Sequence, residues 1–269
     1  MSGPSDVYSH GHHPSVLRAH RWRTAANSAG YLLPRLHPGD ELLDIGCGPG
    51  TITCDLASEV SPGHVTGVDR VADVISQARA EARRQRVEHV TFLVGDIYDL
   101  HFENESFDVV HAHQVLQHLS DPVAGLREMK RVCRPGGLVA VRDADYAAMT
   151  WHPDDVGLTR WLDLYHQVAR SNGGEPDAGR RLRSWGRQAG FSRVEPSASV
   201  WCFADSESLL WWSESWAERL RESDFGRQAR DQGLVDSSEL ESLAQDWRAW
   251  GTQADAWFTV MHGEILCTP

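Results

Sequence analysis

The chain has 269 residues, 41% hydrophobic and 24% charged, a globular balance that suits one large domain or two small ones. A net charge of −12 argues against a nucleic-acid or anionic-membrane partner, and the cluster Arg79, Arg83, Arg84 and Arg86 reads as a solvated helix face. The five cysteines form no CxxC pair, residues 1–30 lack the apolar core of a secretory leader, and no run of 18 apolar residues occurs, so a cytoplasmic protein without a membrane span is expected.

Residues 1–14 are rich in His, Gly and Ser. His10, His12 and His13 have no acid or cysteine at ligand spacing, so no metal is expected. Over residues 14–36, Val16, Leu17, Trp22, Ala26, Ala29, Leu32 and Leu33 fall at helical spacing and predict a helix ended by Pro34 and Pro38. From residue 41, strands are expected at Leu42–Ile45, His64–Asp69, Val90–Val94, Phe107–His111 and Leu138–Arg142. Between them the pattern predicts helices at Thr51–Glu59, Ala72–Arg86 and Val123–Cys133. Strands separated by helices imply crossover connections and a parallel sheet covered on both faces. After Asp145 the alternation stops. Helices are expected over 156–171, 178–189, 206–222 and 237–250, with strands at Val194–Phe203 and Trp257–Leu266.

The stretch Glu41–Thr51 organises the rest. An apolar run carrying Asp44 breaks into Gly46-Cys47-Gly48-Pro49-Gly50, and Thr51 opens a helix. Alternating glycines permit positive φ and leave no Cβ between the backbone and a ligand at the helix N-terminus. Two more acids fall at strand ends, Asp69 after the second strand and Asp96, following Gly95, after the third. Ligands of open parallel sheets bind beyond those ends, where one carboxylate can take ribose hydroxyls and another an exocyclic amine. A nicotinamide dinucleotide site would need G-x-G-x-x-G and a helix end free for pyrophosphate. Here the glycines run G-x-G-x-G, and Asp44 favours a ligand with a cationic amine.

Leu43-Asp44-Ile45-Gly46-Cys47-Gly48-Pro49-Gly50 resembles motif I of class I S-adenosylmethionine-dependent methyltransferases. Val68-Asp69, Gly95-Asp96, Phe107-Asp108-Val109-Val110, Val115–Leu119 and Leu126-Arg127-Glu128 through Arg134-Pro135-Gly136-Gly137 follow in the family's order. The resemblance covers residues 40–145 and is broadest to the ubiquinone/menaquinone-biosynthesis-like small-molecule group. It implies an α/β, Rossmann-like, mostly parallel seven-stranded sheet with helices on both faces. An N-terminal helical segment (1–36) would close over the cofactor, 37–146 would be the binding core, and 147–269 would hold the last strands with an inserted helical cap.

The resemblance also implies roles. Gly46, Gly48 and Gly50, with Cys47 and Thr51 in the same turn, would let the backbone approach the methionine part of the cofactor, and Asp44 would help hold its amine. Asp69 would take the ribose hydroxyls, with Arg70 flanking the adenine. Asp96 would accept from the adenine amine while Ile97 lies on the ring. His113, after strand four, would lie beneath the sulfonium, and Arg23 would meet the cofactor carboxylate. Candidate bases are His118, His113, Asp143 and Tyr146. His118 leads by its place in the family pattern, though a packing role is open to it. The expected acceptor is a small, aromatic or apolar metabolite, because the eleven tryptophans concentrate in the C-terminal half. Trp211, Trp212 and Trp216 would roof its pocket or form core. A homodimer is compatible with the chain. The rival readings are a protein that binds S-adenosylmethionine as a regulator without turnover, and a nicotinamide dehydrogenase.

Overall fold

The structure, a computed structural model, describes residues 22–269. His10, His12, His13 and residues 14–21 of the expected first helix lie outside the described residues. Eight strands form one sheet: β1 (Glu41–Ile45), β2 (His64–Asp69), β3 (Val90–Val94), β4 (Phe107–His113), β5 (Cys133–Ala144), β6 (Thr150–His152), β7 (Arg193–Phe203) and β8 (Trp257–Thr268). The order runs β3-β2-β1-β4-β5-β8, and β1 to β5 are mutually parallel. β8 is antiparallel to its neighbours, with β5 and the short β6 along one edge and β7 along the other.

Side chains alternate across this sheet, as the period of two requires. Leu42, Val65, Val109 and Ala140 face a core completed by Ala25, Leu32, Leu56 and Val60. Leu43, Ile45, Val110 and Val141 face the opposite core, completed by Leu126, Met129 and Leu182. The helices in question are α1 (Ala25–Ser28), α2 (Thr51–Val60), α3 (Ala72–Gln85), α4 (Pro122–Val132) and α6 (Leu182–Gln188). Four more elements, α5 (Val156–Ser171), α7 (Ser206–Glu222), α8 (Asp224–Asp231) and α9 (Ser237–Gly251), build a cap. Its core is a continuous aromatic cluster that includes Trp161, Tyr165, Trp212, Trp216, Phe225, Trp247, Trp250 and Phe258. Each cap helix starts on a side-chain cap: Asp155, Asp205, Ser223 and Asp236 accept from backbone N–H groups of the first turn. Such caps are worth about 0.5–2 kcal/mol each.

The structure departs from the sequence expectation in several places. The sheet has eight strands rather than seven, because the chain after β5 returns to pair Thr150–His152 with the start of β8. Within the described part of 14–36 there is no single helix. Thr24 starts a four-residue helix through a capping box with Asn27, and Pro34 sits in a separate 3₁₀ turn at Leu33–Arg35. The expected helix over 178–189 divides into a 3₁₀ turn at Ala178–Arg181 and α6. α8 was hidden between two longer helical patterns.

Candidate active site

The carboxyl ends of β1, β2 and β3 frame one half of a single large cavity. After β1 the chain turns through Gly46 (φ 67°), Gly48 (φ 55°) and Gly50 (φ 85°) into α2. These values lie in the left-handed region, which costs an ordinary residue about 1–2 kcal/mol. A Cβ on Gly46 would also run into the Val115 side chain, and one on Gly50 would meet Ala78 Cβ at 2.9 Å and Phe92 at 3.0 Å. The turn is tied to the end of β2: Asp69 accepts from the Gly48 N–H at 3.2 Å and from the Val71 N–H at 3.1 Å. Asp96 accepts from the Tyr98 N–H at 3.0 Å, which fixes the loop after β3. Asp44 is only 3% exposed. Its carboxylate accepts from the Thr53 hydroxyl at 2.6 Å and is 2.7 Å from His111 Nδ1. It is therefore held in a fixed position beside the turn.

Asp44, Gly46, Cys47, Gly48, Thr51, Asp69, Arg70, Gly95, Asp96 and Ile97 all line this cavity. Gly50 does not line it and instead packs against α3 and β3. Burial pushes the Cys47 thiol up, with Asp44 and Asp69 adding to the effect, so it stays protonated.

At the end of β4, His113 lines the cavity and is 6% exposed. Neither of its ring nitrogens has a hydrogen-bond partner. Burial, followed by the positive charges of Arg142 and Arg23, holds its pKa well below the usual histidine value, so the ring is neutral and keeps a lone pair. The next residue, Gln114, accepts from the Arg23 guanidinium at 2.7 Å, and its amide nitrogen lies 2.8 Å from His262 Nε2. Arg23 lines the same wall. His118 also lines the cavity, with its Nε2 3.0 Å from the Gln117 side-chain amide.

Asp143 does not line the cavity. It is fully buried and accepts from the Gln117 N–H at 3.2 Å, which pins the 3₁₀ turn Leu116–His118. Burial pushes its pKa up to about 7 against the opposing backbone hydrogen bonds. Its neighbour Asp145 is also buried and takes the Arg180 side chain at 2.6 Å. Tyr146 lines the cavity and stacks on Tyr165 at 3.9 Å. Burial raises its pKa, so it is a neutral phenol.

The other half of the cavity is aromatic. Trp22, Met149, Trp201, Trp211, Trp212, Arg219 and Val260 complete it. Trp22 packs edge-on to Trp201 at 5.2 Å and lies 5.4 Å from Trp211. Trp216 does not join this wall; it is wholly buried and stacks on Trp247 at 6.1 Å. The sequence reading missed Trp201, Arg219 and Met149. For Arg219 a signal existed, since it follows Trp212 by two helical turns and so shares its face. Among the described residues no group of three or more His, Cys, Asp or Glu side chains could hold a metal ion, and no helix is long and apolar enough to cross a membrane.

Residues 36–185, more than half of the chain, match the family model described as a methyltransferase domain. The chain belongs to that family, and it is an S-adenosylmethionine-dependent methyltransferase of the Rossmann-like class. It is 34% identical over 276 residues to the protein named uncharacterized methyltransferase C1B3.06c of Schizosaccharomyces pombe, covering 99% of this chain and 98% of that one. It is 34% identical over 163 residues to the demethylmenaquinone methyltransferase of Beutenbergia cavernae, covering 58% of this chain and 64% of that one. Among solved structures, phosphoethanolamine N-methyltransferase 2 of Haemonchus contortus, bound to phosphomonomethylethanolamine and S-adenosylhomocysteine, superposes with a TM-score of 0.58 at 20% identity. That match covers 94% of this chain and 57% of that one and is a likeness of fold.

Proposed function

We propose that the enzyme transfers a methyl group directly to a small, flat aromatic acceptor held against the tryptophan wall. The observation that carries this reading is the continuity of the cavity, which runs from Asp69 and Asp96 to Trp211, Trp212 and Arg219. S-adenosylmethionine supplies an activated methyl group, so the protein has to align the acceptor, exclude water and accept one proton.

The residues of this chain divide those tasks. Gly46 and Gly48 bring backbone within reach of the methionine part. Asp69 uses lone pairs left over from the Gly48 and Val71 bonds for the ribose hydroxyls. Asp96 and Ile97 hold the adenine, with Arg70 at its edge. Asp44 provides negative potential toward the ammonium and sulfonium end, while Arg23, steadied by Gln114, faces the carboxylate. Among the candidate bases, His113 is favoured over His118. It is neutral, its ring nitrogens are unpartnered, and it stands on the wall between the donor and aromatic halves. A base so placed adds roughly 10²–10⁴-fold to the rate when the acceptor must lose a proton. Tyr146 and the tryptophans shape the chamber and keep it dry. Asp143 acts at a distance by holding the Leu116–His118 turn.

Calorimetry with S-adenosylhomocysteine, followed by incubation of the protein with methyl-labelled S-adenosylmethionine and a panel of hydroxylated aromatics and aliphatic amines, tests this reading. Tight binding and label in an aromatic product are expected. Binding of NADH in place of S-adenosylhomocysteine would overturn the donor assignment. Label found only in aliphatic amines would overturn the acceptor assignment.

A further inference from the structure

We infer that Glu264 is the outlet for the proton that His113 takes from the acceptor, reached along a row of paired strand residues that runs from the cavity to the surface. This rests on the proposed reading of His113 as the base.

The sheet fixes the row. His113 on β4 pairs with Arg142 on β5, Arg142 pairs with Glu264 on β8, and Glu264 pairs with Ser197 on β7. Register partners point to the same face of a sheet, so four polar side chains stand side by side across four strands. Two residues back on the same face, β5 and β8 carry Ala140 and Leu266, so the polar row interrupts an apolar layer. Exposure grows along it: His113, Arg142 and Glu264 are buried, whereas Ser197 is exposed. From Arg142 outward the contacts are continuous. Arg142 Nε donates to Glu264 Oε1 at 3.3 Å and to Ser199 Oγ at 3.1 Å. The Ser199 and Ser197 hydroxyls donate to Glu264 Oε1 and Oε2 at 2.5 and 2.7 Å.

Between His113 and Glu264 the lining suits a bridging water. Both His113 nitrogens, both terminal nitrogens of Arg142 and the Tyr31 hydroxyl are buried without a hydrogen-bond partner. Burial, followed by the Glu264 charge, pushes the Tyr31 pKa up, so this phenol is a donor. Buried polar groups are nearly always paired, and a gathering of this kind is where proteins keep ordered water.

The chemistry needs such a route. As the methyl carbon leaves sulfur and bonds to the acceptor oxygen, the O–H bond breaks and its proton goes to one His113 nitrogen. The ring serves the next turnover only after its other nitrogen gives a proton up, and a chamber closed by tryptophans and filled by two ligands holds no bulk water to take it. A bridging water passes the proton to Glu264, which releases it to solvent beside Ser197, so one proton reaches solution for each methyl transferred. Arg142 is not a carrier. Burial brings its pKa down to about 10, which leaves it charged, and it holds Glu264 in line.

Neighbouring groups do not continue the path. His262 has both nitrogens engaged, 2.8 Å from the Gln114 amide and 3.1 Å from the Val260 carbonyl. His111, two residues back on β4, leads through Asp44 to Thr53, and all three are buried. The alternative is an ion pair that only braces the fold. Buried pairs contribute little over apolar side chains of similar size, so stability alone does not account for Arg142 and Glu264.

The test reads exchange of the His113 ring N–H with water at pH 7, in the full chain saturated with S-adenosylhomocysteine. It uses NMR of protein labelled with ¹⁵N-histidine, with the His113 signal assigned by its loss in His113→Gln. Glu264→Gln keeps the size of the side chain but cannot carry a proton, and should slow the exchange at least about tenfold. A signal broadened away in the wild type and visible in the variant counts as slowing. The direction separates the two readings, because breaking a pair that only braced the fold loosens the core and speeds exchange. Unchanged or faster exchange in Glu264→Gln would overturn the inference. Should that variant fail to fold because Arg142 has lost its counter-charge, Arg142→Met/Glu264→Leu removes the pair together and decides by the same measurement. Full turnover in His113→Ala would instead overturn the reading of His113 as the base, whatever the exchange rates.

Discussion

Asp143→Asn should make this protein more stable at pH 8 and leave it little changed at pH 4. The carboxyl group is fully buried, one oxygen accepts from the Gln117 N–H, and the other has no partner. Burial pushes its pKa up to about 7 from an ordinary 3.8. Between those values the folded protein keeps a proton that the unfolded chain has released. Stability therefore falls as pH rises through this window and is flat above it. A gap of roughly 3 pH units at about 1.4 kcal/mol each gives about 4 kcal/mol, an upper figure because relaxation and water entry reduce it. Asparagine keeps an oxygen for the Gln117 N–H and cannot ionise. Urea unfolding of wild type and variant at several pH values from 4 to 9 gives the difference directly. His113 and His262, both held well below their usual pKa by burial, titrate in each protein and cancel. The variant's advantage should grow from near zero at pH 4 to a plateau above pH 7. At about 2 °C per kcal/mol for a chain of this size, the plateau is close to 8 °C in Tm. Parallel stability curves for the two proteins would refute the reasoning.

Three further outcomes are expected. Asp69→Ala should weaken S-adenosylhomocysteine binding by about 1–3 kcal/mol through loss of charged hydrogen bonds, read by calorimetry, and an unchanged Kd would remove Asp69 from the site. His113→Ala should slow turnover about 10²-fold or more with S-adenosylhomocysteine affinity preserved, whereas His118→Ala should have the smaller effect; the reverse order of single-turnover rates would move the base to His118. Gly46→Ala should combine about 1–2 kcal/mol of left-handed strain with displacement of Val115, so cofactor affinity should fall further than Tm does, and a variant that binds normally would show that this backbone does not touch the ligand.

The glycine turn and the strand-end acids that border the cavity were legible because each of them is local. A strand end, a turn and a helix start supply the glycine cradle within a dozen residues, and Asp69 and Asp96 each close a strand whose apolar run is visible in the sequence. The different surroundings of His113 and His118 were not legible. They depend on Arg142 from β5, which stands beside His113 in register, and on His262 from β8, which stacks on its ring at 6.1 Å. The helix expected over 14–36 had the right spacing, but Thr24 caps a new start and Pro34 imposes a 3₁₀ turn, features that hydrophobic periodicity does not weigh. Trp212 and Trp216 share a helix face, yet one borders the cavity and the other lies under Trp161 and Trp247. Only the packing of α5 and α9 separates their roles.

The aromatic half of the cavity has no motif because no continuous stretch builds it. Its wall draws Trp22 and Arg23 from the N-terminal segment, His113 from β4, Tyr146 and Met149 from the turn after β5, Trp201 from β7, and Trp211, Trp212 and Arg219 from α7. Trp201 is where these contributions meet. Its indole N–H donates to the Asn27 carbonyl at 2.7 Å across 174 residues of sequence. Arg23 stands 5.5 Å and Arg142 4.9 Å from its ring, and Trp22 and His262 pack against it at 5.2 and 4.3 Å. One ring thus joins the N-terminal segment to the strand that supports the cap. α7 reaches the same junction through Trp211, which lies 5.4 Å from Trp22. Changing Trp201 should therefore disturb the N-terminal segment and the aromatic wall together.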